Sequence, residues 1–304
     1  MMLLSLFALA AFQNPPAELP QDEEAIVITA QRTGIPVWRV TKGPSTVVLV
    51  GTLTDIAKGT AWNAAALDSA VAQSRRVIFP QTIVIRDSAN NLAYWNQKWT
   101  KQALLPADKP LTGLLSPDER ARLTRLAAQG RAPRDWAKVH PLHLAMFMQN
   151  KLRQAVGTEP DVESAVEVSI KTHKVYRVPI RQTDATQVME GLFLTKPADH
   201  LACLRTTMAV AEAGPEELRR RSATWTKRQV AATVASPIAA IEPTCWPGSE
   251  DKDVAKGVLD TTLKALGRKG VTLAIVNVDS LARTGGLLDR LQAAGVAIDG
   301  PAWK

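Results

Sequence analysis

The chain has 304 residues, 46% of them hydrophobic and 22% charged, and carries a formal net charge of +8. That length buries a sizeable core as one large domain or two smaller ones, and the composition is that of a globular chain. No apolar run reaches the roughly 20 residues that span a bilayer, and the basic residues are spread along the chain without a recognition motif, which argues against nucleic-acid binding.

Residues 1–12 (MMLLSLFALAAF) are a short apolar stretch with small residues at Ala8 and Ala10, an A-x-A arrangement, and a polar, proline-bearing segment follows. This is the pattern of a secretory signal peptide over residues 1–13, although no basic residue stands near Met1. The expected destination is the periplasm or cell envelope, with no transmembrane helix left after leader removal. Residues 14–32 read as a linker and an extended arm, and residues 33–304 as the domain. Within the arm, Ala25–Arg32 (AIVITAQR) resembles the TonB box of outer-membrane receptors, which docks by adding a strand to a partner's sheet. The simpler expectation is a short strand or extended arm of this protein itself.

Ile35–Val40 and Ser45–Val50 read as strands joined by the turn Lys42-Gly43-Pro44. A helix over Ala61–Ser74 and a strand over Arg76–Phe79 complete a strand, helix, strand order that suggests a parallel β-α-β unit. The middle is mostly helical. Ser116-Pro117-Asp118-Glu119 is a helix start with serine as N-cap and proline at the first position. Helices are expected over Pro141–Val156, Val162–Thr172, Leu192–Ala211 and Pro215–Ala232, with a strand at Tyr176–Ile180 returning to the sheet. At the end, a helix over Val254–Leu266 precedes a buried strand at Val271–Val276. A helix at Leu287–Ala294 and a short strand at Val296–Ile298 close the chain.

Chemistry-bearing motifs are sparse. Cys203 and Cys245 are the only cysteines. In an exported protein such a pair suggests one disulfide closing a loop of about 40 residues, worth about 4 kcal/mol in the chain-entropy model; in a cytosolic protein it reads as buried thiols. No C-x-x-C spacing supports a redox motif or a zinc site. No G-x-S-x-G elbow, phosphate-binding loop or Rossmann glycine fingerprint is present. His140 and His143 can share one helix face but lack further ligands, so a helix start with one packed and one exposed histidine is expected. His173 and His200 are isolated and read as surface or supporting residues. Arg219-Arg220-Arg221 with Lys227-Arg228, the one local basic cluster, reads as solvated surface, with weak attraction to anionic envelope surfaces as the alternative. The tryptophans, including Trp62, Trp95, Trp99, Trp136 and Trp225, read as packing residues rather than a ligand groove.

Two strand-turn segments carry a family resemblance. The first is PVWRVTKGPSTVVLVGTLTD (Pro36 to Asp55) followed by a helix and RRVIFP. The second is Val276-Asn277-Val278-Asp279-Ser280-Leu281 with Gly286 and the helix LLDRLQAAG. Together with HLACLRTT around Cys203, RSATWTKRQV around Trp225 and Asp161-Val162 before a helix, they resemble the TraB/GumN family, related to the Tiki and ChaN-like proteins, over about residues 35–300. The resemblance implies an α/β fold, a mixed sheet with flanking helices and a mostly helical middle.

It also implies functional positions that this chain fills differently. Both turns read G-x-x-H in the family, and the strand after the first helix ends in glutamate. Here Gly51 keeps the first glycine, but Thr54 and Ser280 stand at the histidine places, Asn277 at the second glycine and Pro80 at the glutamate. An arginine–asparagine pair of the helix before the last core strand has no clear match. In the Tiki-like relatives those histidines and the glutamate are thought to serve metal-dependent hydrolysis, which wants about three protein ligands and an open position. The expectation is therefore an exported, catalytically degenerate scaffold with no catalytic residue, no metal and no cofactor. It would have a binding or envelope-associated role toward an unknown ligand or envelope protein. Gly51, Thr54, Asp55, Asn277, Asp279 and Ser280 are the pocket candidates. Asp55 is expected to cap the following helix and Asp279 to face solvent. The rival is a metal-dependent hydrolase in which Asp55 and Asp279 form a non-standard acidic site for Mg²⁺ or Ca²⁺.

Overall fold

The computed structural model describes residues 23–43, 45–79, 82–84, 88–180, 182–184, 190, 192, 195–245 and 252–304. The leader, most of the linker and Pro80 lie outside the described residues. Ten strands are described, β1 (Val37–Lys42), β2 (Ser45–Thr52), β3 (Ile56–Ala57), β4 (Arg76–Phe79), β5 (Thr82–Val84), β6 (Thr158–Glu159), β7 (Tyr176–Pro179), β8 (Gln182–Asp184), β9 (Thr272–Asn277) and β10 (Ala297–Asp299). The helices among the described residues run from α1 (Glu23–Gln31), α2 (Ala64–Gln73), α3 (Ser88–Gln102) and α4 (Pro117–Ala128) to α5 (Pro141–Val156), α6 (Val162–His173) and α7 (Leu201–Ala213). They continue with α8 (Pro215–Thr226), α9 (Val230–Val234), α10 (Ile241–Cys245), α11 (Lys252–Ala265), α12 (Val278–Ala282) and α13 (Leu287–Ala293).

Six strands form one mixed sheet in the order β10-β1-β2-β9-β4-β7. Strand β1 is antiparallel to both β2 and β10, whereas β2, β9, β4 and β7 run parallel. Every residue of β2 is buried, and five of the six in β9. Residues 47–50 of β2 and 273–276 of β9 are continuous apolar runs without polar alternation, as a parallel strand covered on both faces requires. The β-α-β unit expected from the first half of the domain is present with one addition. Strands β2 and β4 are parallel in the same sheet, but β9, from the far end of the chain, lies between them.

Local signals place the helices. Asn63 caps α2 by accepting from the Ala66 amide at 3.0 Å, and α2 buries Ala66, Leu67, Ala70 and Val71 on one face. Ser116 and Glu119 make the reciprocal capping box of α4. Pro197 opens a short 3₁₀ turn before α7, so the helix expected from Leu192 begins at Leu201. The single helix expected over Pro215–Ala232 is two, α8 and α9, parted where Arg228 takes a positive φ of 57°.

The expected extended arm is a correction. Residues Glu23–Gln31 form α1, with Ile26, Val27 and Ala30 buried. Glu23 accepts from the Thr46 hydroxyl at 3.1 Å and Glu24 from Arg39 at 2.7 Å, tying the helix to the first hairpin. The β-branched run Ile26-Val27-Ile28-Thr29 favours a strand locally. Packing of one apolar face and two acids in the first turn override that preference.

Candidate functional site

Because β9 is inserted beside β2, the two turns that are remote in sequence emerge side by side. Gly51 pairs with Val276 and Thr52 with Asn277, and the chain leaves both strands at the same carboxyl edge of the sheet, the edge at which open α/β sheets carry their sites. A Cβ on Gly51 would stand 3.0 Å from the Trp38 ring and 3.4 Å from Val278, so a side chain there would crowd both. Its carbonyl accepts a 2.8 Å hydrogen bond from the indole of fully buried Trp225, which fixes the first turn to α8.

Asn277 joins the two turns. Its Oδ1 accepts from the Asp279 amide at 2.8 Å and caps α12, while its Nδ2 donates to the Thr54 hydroxyl at 3.4 Å and to Glu242 Oε2 at 3.2 Å. A glycine at this position could make none of these bonds. Below them, Thr52 donates to Glu163 Oε1 at 3.4 Å.

Both aspartates of the two turns, Asp55 and Asp279, are held by arginines. Asp55 Oδ1 accepts from Arg153 Nε at 2.8 Å, in a pair whose side chains remain partly exposed at 24% and 38%. Asp279 Oδ2 accepts from Arg221 at 2.5 Å in a far more enclosed pair, 16% and 7% exposed. These contacts correct two expectations: Asn63, not Asp55, caps the following helix, and Asp279 is turned inward rather than to solvent. Asp279 Oδ1 and Arg221 Nε are buried without hydrogen-bond partners, so each group relies on the other to offset its desolvation.

Burial raises the carboxyl of Asp279, and the neighbouring Arg221 works against that shift. Glu242 is raised by burial first and then by repulsion from Asp279 and Glu163. The junction therefore gathers Glu242 and Asp279 close together, with Arg221 enclosed against Asp279 and Arg153 paired to Asp55 at the partly exposed side.

Beside this network lies a cleft of about 240 Å³, lined by Ser236, Ala240, Glu242, Asp279, Ser280 and Arg283 among others. Of the residues singled out from sequence, Asp279 and Ser280 line it, and Asn277 and Thr54 are joined to it through Glu242. Gly51 underlies it as a packing position, and Asp55 lies on the Arg153 side. The donor set does not fit a divalent transition metal. Thr54 and Ser280 offer only neutral hydroxyls, each aspartate already faces a guanidinium, and among the described residues no three His, Cys, Asp or Glu side chains gather as metal ligands.

Arg221, Glu242 and Glu163 were not expected at the site. The signal for Arg221 was available. On α8 the buried positions are Leu218, Arg221, Ser222 and Trp225, spaced i, i+3, i+4, i+7, which puts this arginine on the inward face. Its neighbours Arg219 and Arg220 pair locally with Glu216 and Glu217. Glu242 had no such signal, since its approach to Asn277 depends on contacts between residues remote in sequence. Cys203 and Cys245 form a disulfide with Cα atoms 4.6 Å apart, fastening α10, and Glu242 upon it, to α7.

No curated protein and no solved structure gives a match to this chain. The sequence profile of the TraB/PrgY/gumN family matches residues 36–299, a span that contains both turns, the inserted central strand and the helical middle. With nearly its whole length covered, the chain belongs to the TraB/PrgY/gumN family.

Proposed function

We propose that the protein is an exported member of its family that binds a ligand or an envelope partner at the junction cleft and carries out no hydrolysis there. One observation carries this reading: the two turns meet at one mouth, yet the places expected to hold histidines are Thr54 and Ser280, and the adjoining aspartates are bridged by Arg153 and Arg221. Such a mouth is held together by its own side chains and leaves a cleft with an apolar wall, two serines, an arginine and two acids, a lining suited to a small polar ligand. The Cys203–Cys245 bond is consistent with an oxidising compartment, as the leader pattern of residues 1–13 suggests.

Ala240 is exposed at the cleft wall, so Ala240→Trp fills the space without entering the core. A thermal-shift screen of small polar metabolites should yield compounds that raise the melting temperature of the wild type but not of Ala240→Trp. The second reading, a hydrolase with a non-standard acidic site, draws support from Glu242 and Asp279 lining the same cleft. Metal-dependent turnover of ester or peptide substrates, abolished by Asp55→Asn or Asp279→Asn, would establish that reading instead.

A further inference from the structure

Away from the cleft, three of the four histidines of the chain gather in the helical layer. His140, at the start of α5, lies 6.0 Å from His143 and 5.4 Å from His200, centroid to centroid. His140 and His200 are buried, and Trp99 of α3 lies against the His143 ring at 3.7 Å. This corrects the expectation that His200 is isolated, and that one histidine of the His140/His143 pair is exposed.

The arrangement does not suit a metal. His140 Nδ1 accepts from the Leu142 amide at 3.3 Å, and His200 Nε2 is occupied by the Thr195 hydroxyl at 2.7 Å. His143 Nε2 is buried without a hydrogen-bond partner. What the cluster does is store three imidazoles that cannot all be charged together. The charges acting on His140 are those of His200 and His143, and the one acting on His143 is that of His200. From the 3₁₀ turn before α7, Asp199 favours the charged form of His200. Cys203 of α7 and Cys245 of α10 are disulfide-bonded and do not titrate, Trp99 of α3 carries no charge, and Glu242 of α10 is engaged with Asn277.

The same place anchors one side of the cleft. Leu142, Ala145, Leu192, Cys203 and Cys245 form one apolar cluster, with Trp99 and Ile241 packed against it. Ile241 and Cys245 are the two ends of α10, the helix that carries Glu242. We propose that His140, His143 and His200 form an acid-responsive latch, which keeps α10 seated while the imidazoles are neutral and loosens it when they are protonated. This inference goes beyond the proposed binding role and does not depend on what the cleft binds.

The sign follows from burial. Burial, with repulsion from neighbouring imidazoles, lowers His140 and His143 from 6.5 to about 4, and His200 is also lowered, chiefly by burial. An opened layer returns each ring to its ordinary value and takes up protons that the closed layer refuses. Stability is therefore complete above about pH 6.5 and is lost progressively as the pH falls toward 4.

Hydrogen exchange on the full chain, corrected for intrinsic rates, tests this at pH 7 and pH 5. Amides of α10 and the first turn of α5 should lose protection on the order of 10-fold or more at pH 5, while β2 and β9 keep theirs. The variant His140→Asn/His143→Phe keeps a capping acceptor and an aromatic ring beside Trp99, and it should lose little. Equal acid loss in wild type and variant would assign the effect to carboxylates and overturn the latch. A measurement on the wild type alone guards against a variant that does not fold. Imidazole NMR resonances should show no titration near pH 6.5 for His140 and His143 until α10 opens; free titration there with unchanged protection would also overturn it.

Discussion

The mouth of the sheet and the histidine cluster bury ionisable groups in opposite ways. At the mouth, Asp279 and Arg221 are enclosed as a charged pair at 2.5 Å. In the helical layer, His140, His143 and His200 are enclosed close to one another, with Asp199 acting on His200. A pair neutralises itself and is indifferent to modest changes of pH. A cluster of like bases stays buried only while uncharged. The two regions also differ in where the histidines lie: none stands at the paired turns of the mouth, while three sit where helices pack.

The contrast can be broken first at its most enclosed point. Arg221→Met should cost about 3–5 kcal/mol in urea unfolding, because Asp279 is left charged and buried. Adding Asp279→Asn should recover part of that loss. Cys203→Ser should follow, at about 2–4 kcal/mol, through the lost constraint on the unfolded chain; its amide exchange should rise most in α10. Asn277→Gly, which restores the residue type expected of the family, should cost about 1–2 kcal/mol by removing a cap and the tie between Thr54 and Glu242. Arg153→Met is the smallest effect, under about 1 kcal/mol, since its pair with Asp55 is partly solvated. A loss as large as that of Arg221→Met would show that the two bridges are equivalent and remove the distinction drawn between them.

Much of the scaffold was legible where local chemistry is decisive. Strand β4 and helix α5 run over the residues expected, because a short apolar run and a proline-opened amphipathic helix announce their own limits. The mixed α/β class followed from the order of such segments. The place of β9 between β2 and β4 did not, because strand neighbours are chosen by long-range packing. Helix α1 was misread for the opposite reason: its β-branched residues describe a local preference, and the buried surface they meet is supplied by residues far along the chain. At the site, glycine and hydroxyl positions could be named from the two turns. Arg221 was hidden within a basic run, and Glu242 meets Asn277 only through tertiary packing of a helix whose Cys245 is bonded 42 residues away.

The proposed binding role requires a mouth that holds no catalytic metal and is maintained by its own side chains. Its most direct test is calorimetric titration of the purified protein, free of affinity-tag histidines, with Zn²⁺, Mn²⁺, Mg²⁺ and Ca²⁺. No stoichiometric binding heat is expected, and no change on Asp55→Asn or Asp279→Asn. Tight one-to-one binding that disappears in either variant would contradict it and return the protein to the hydrolases.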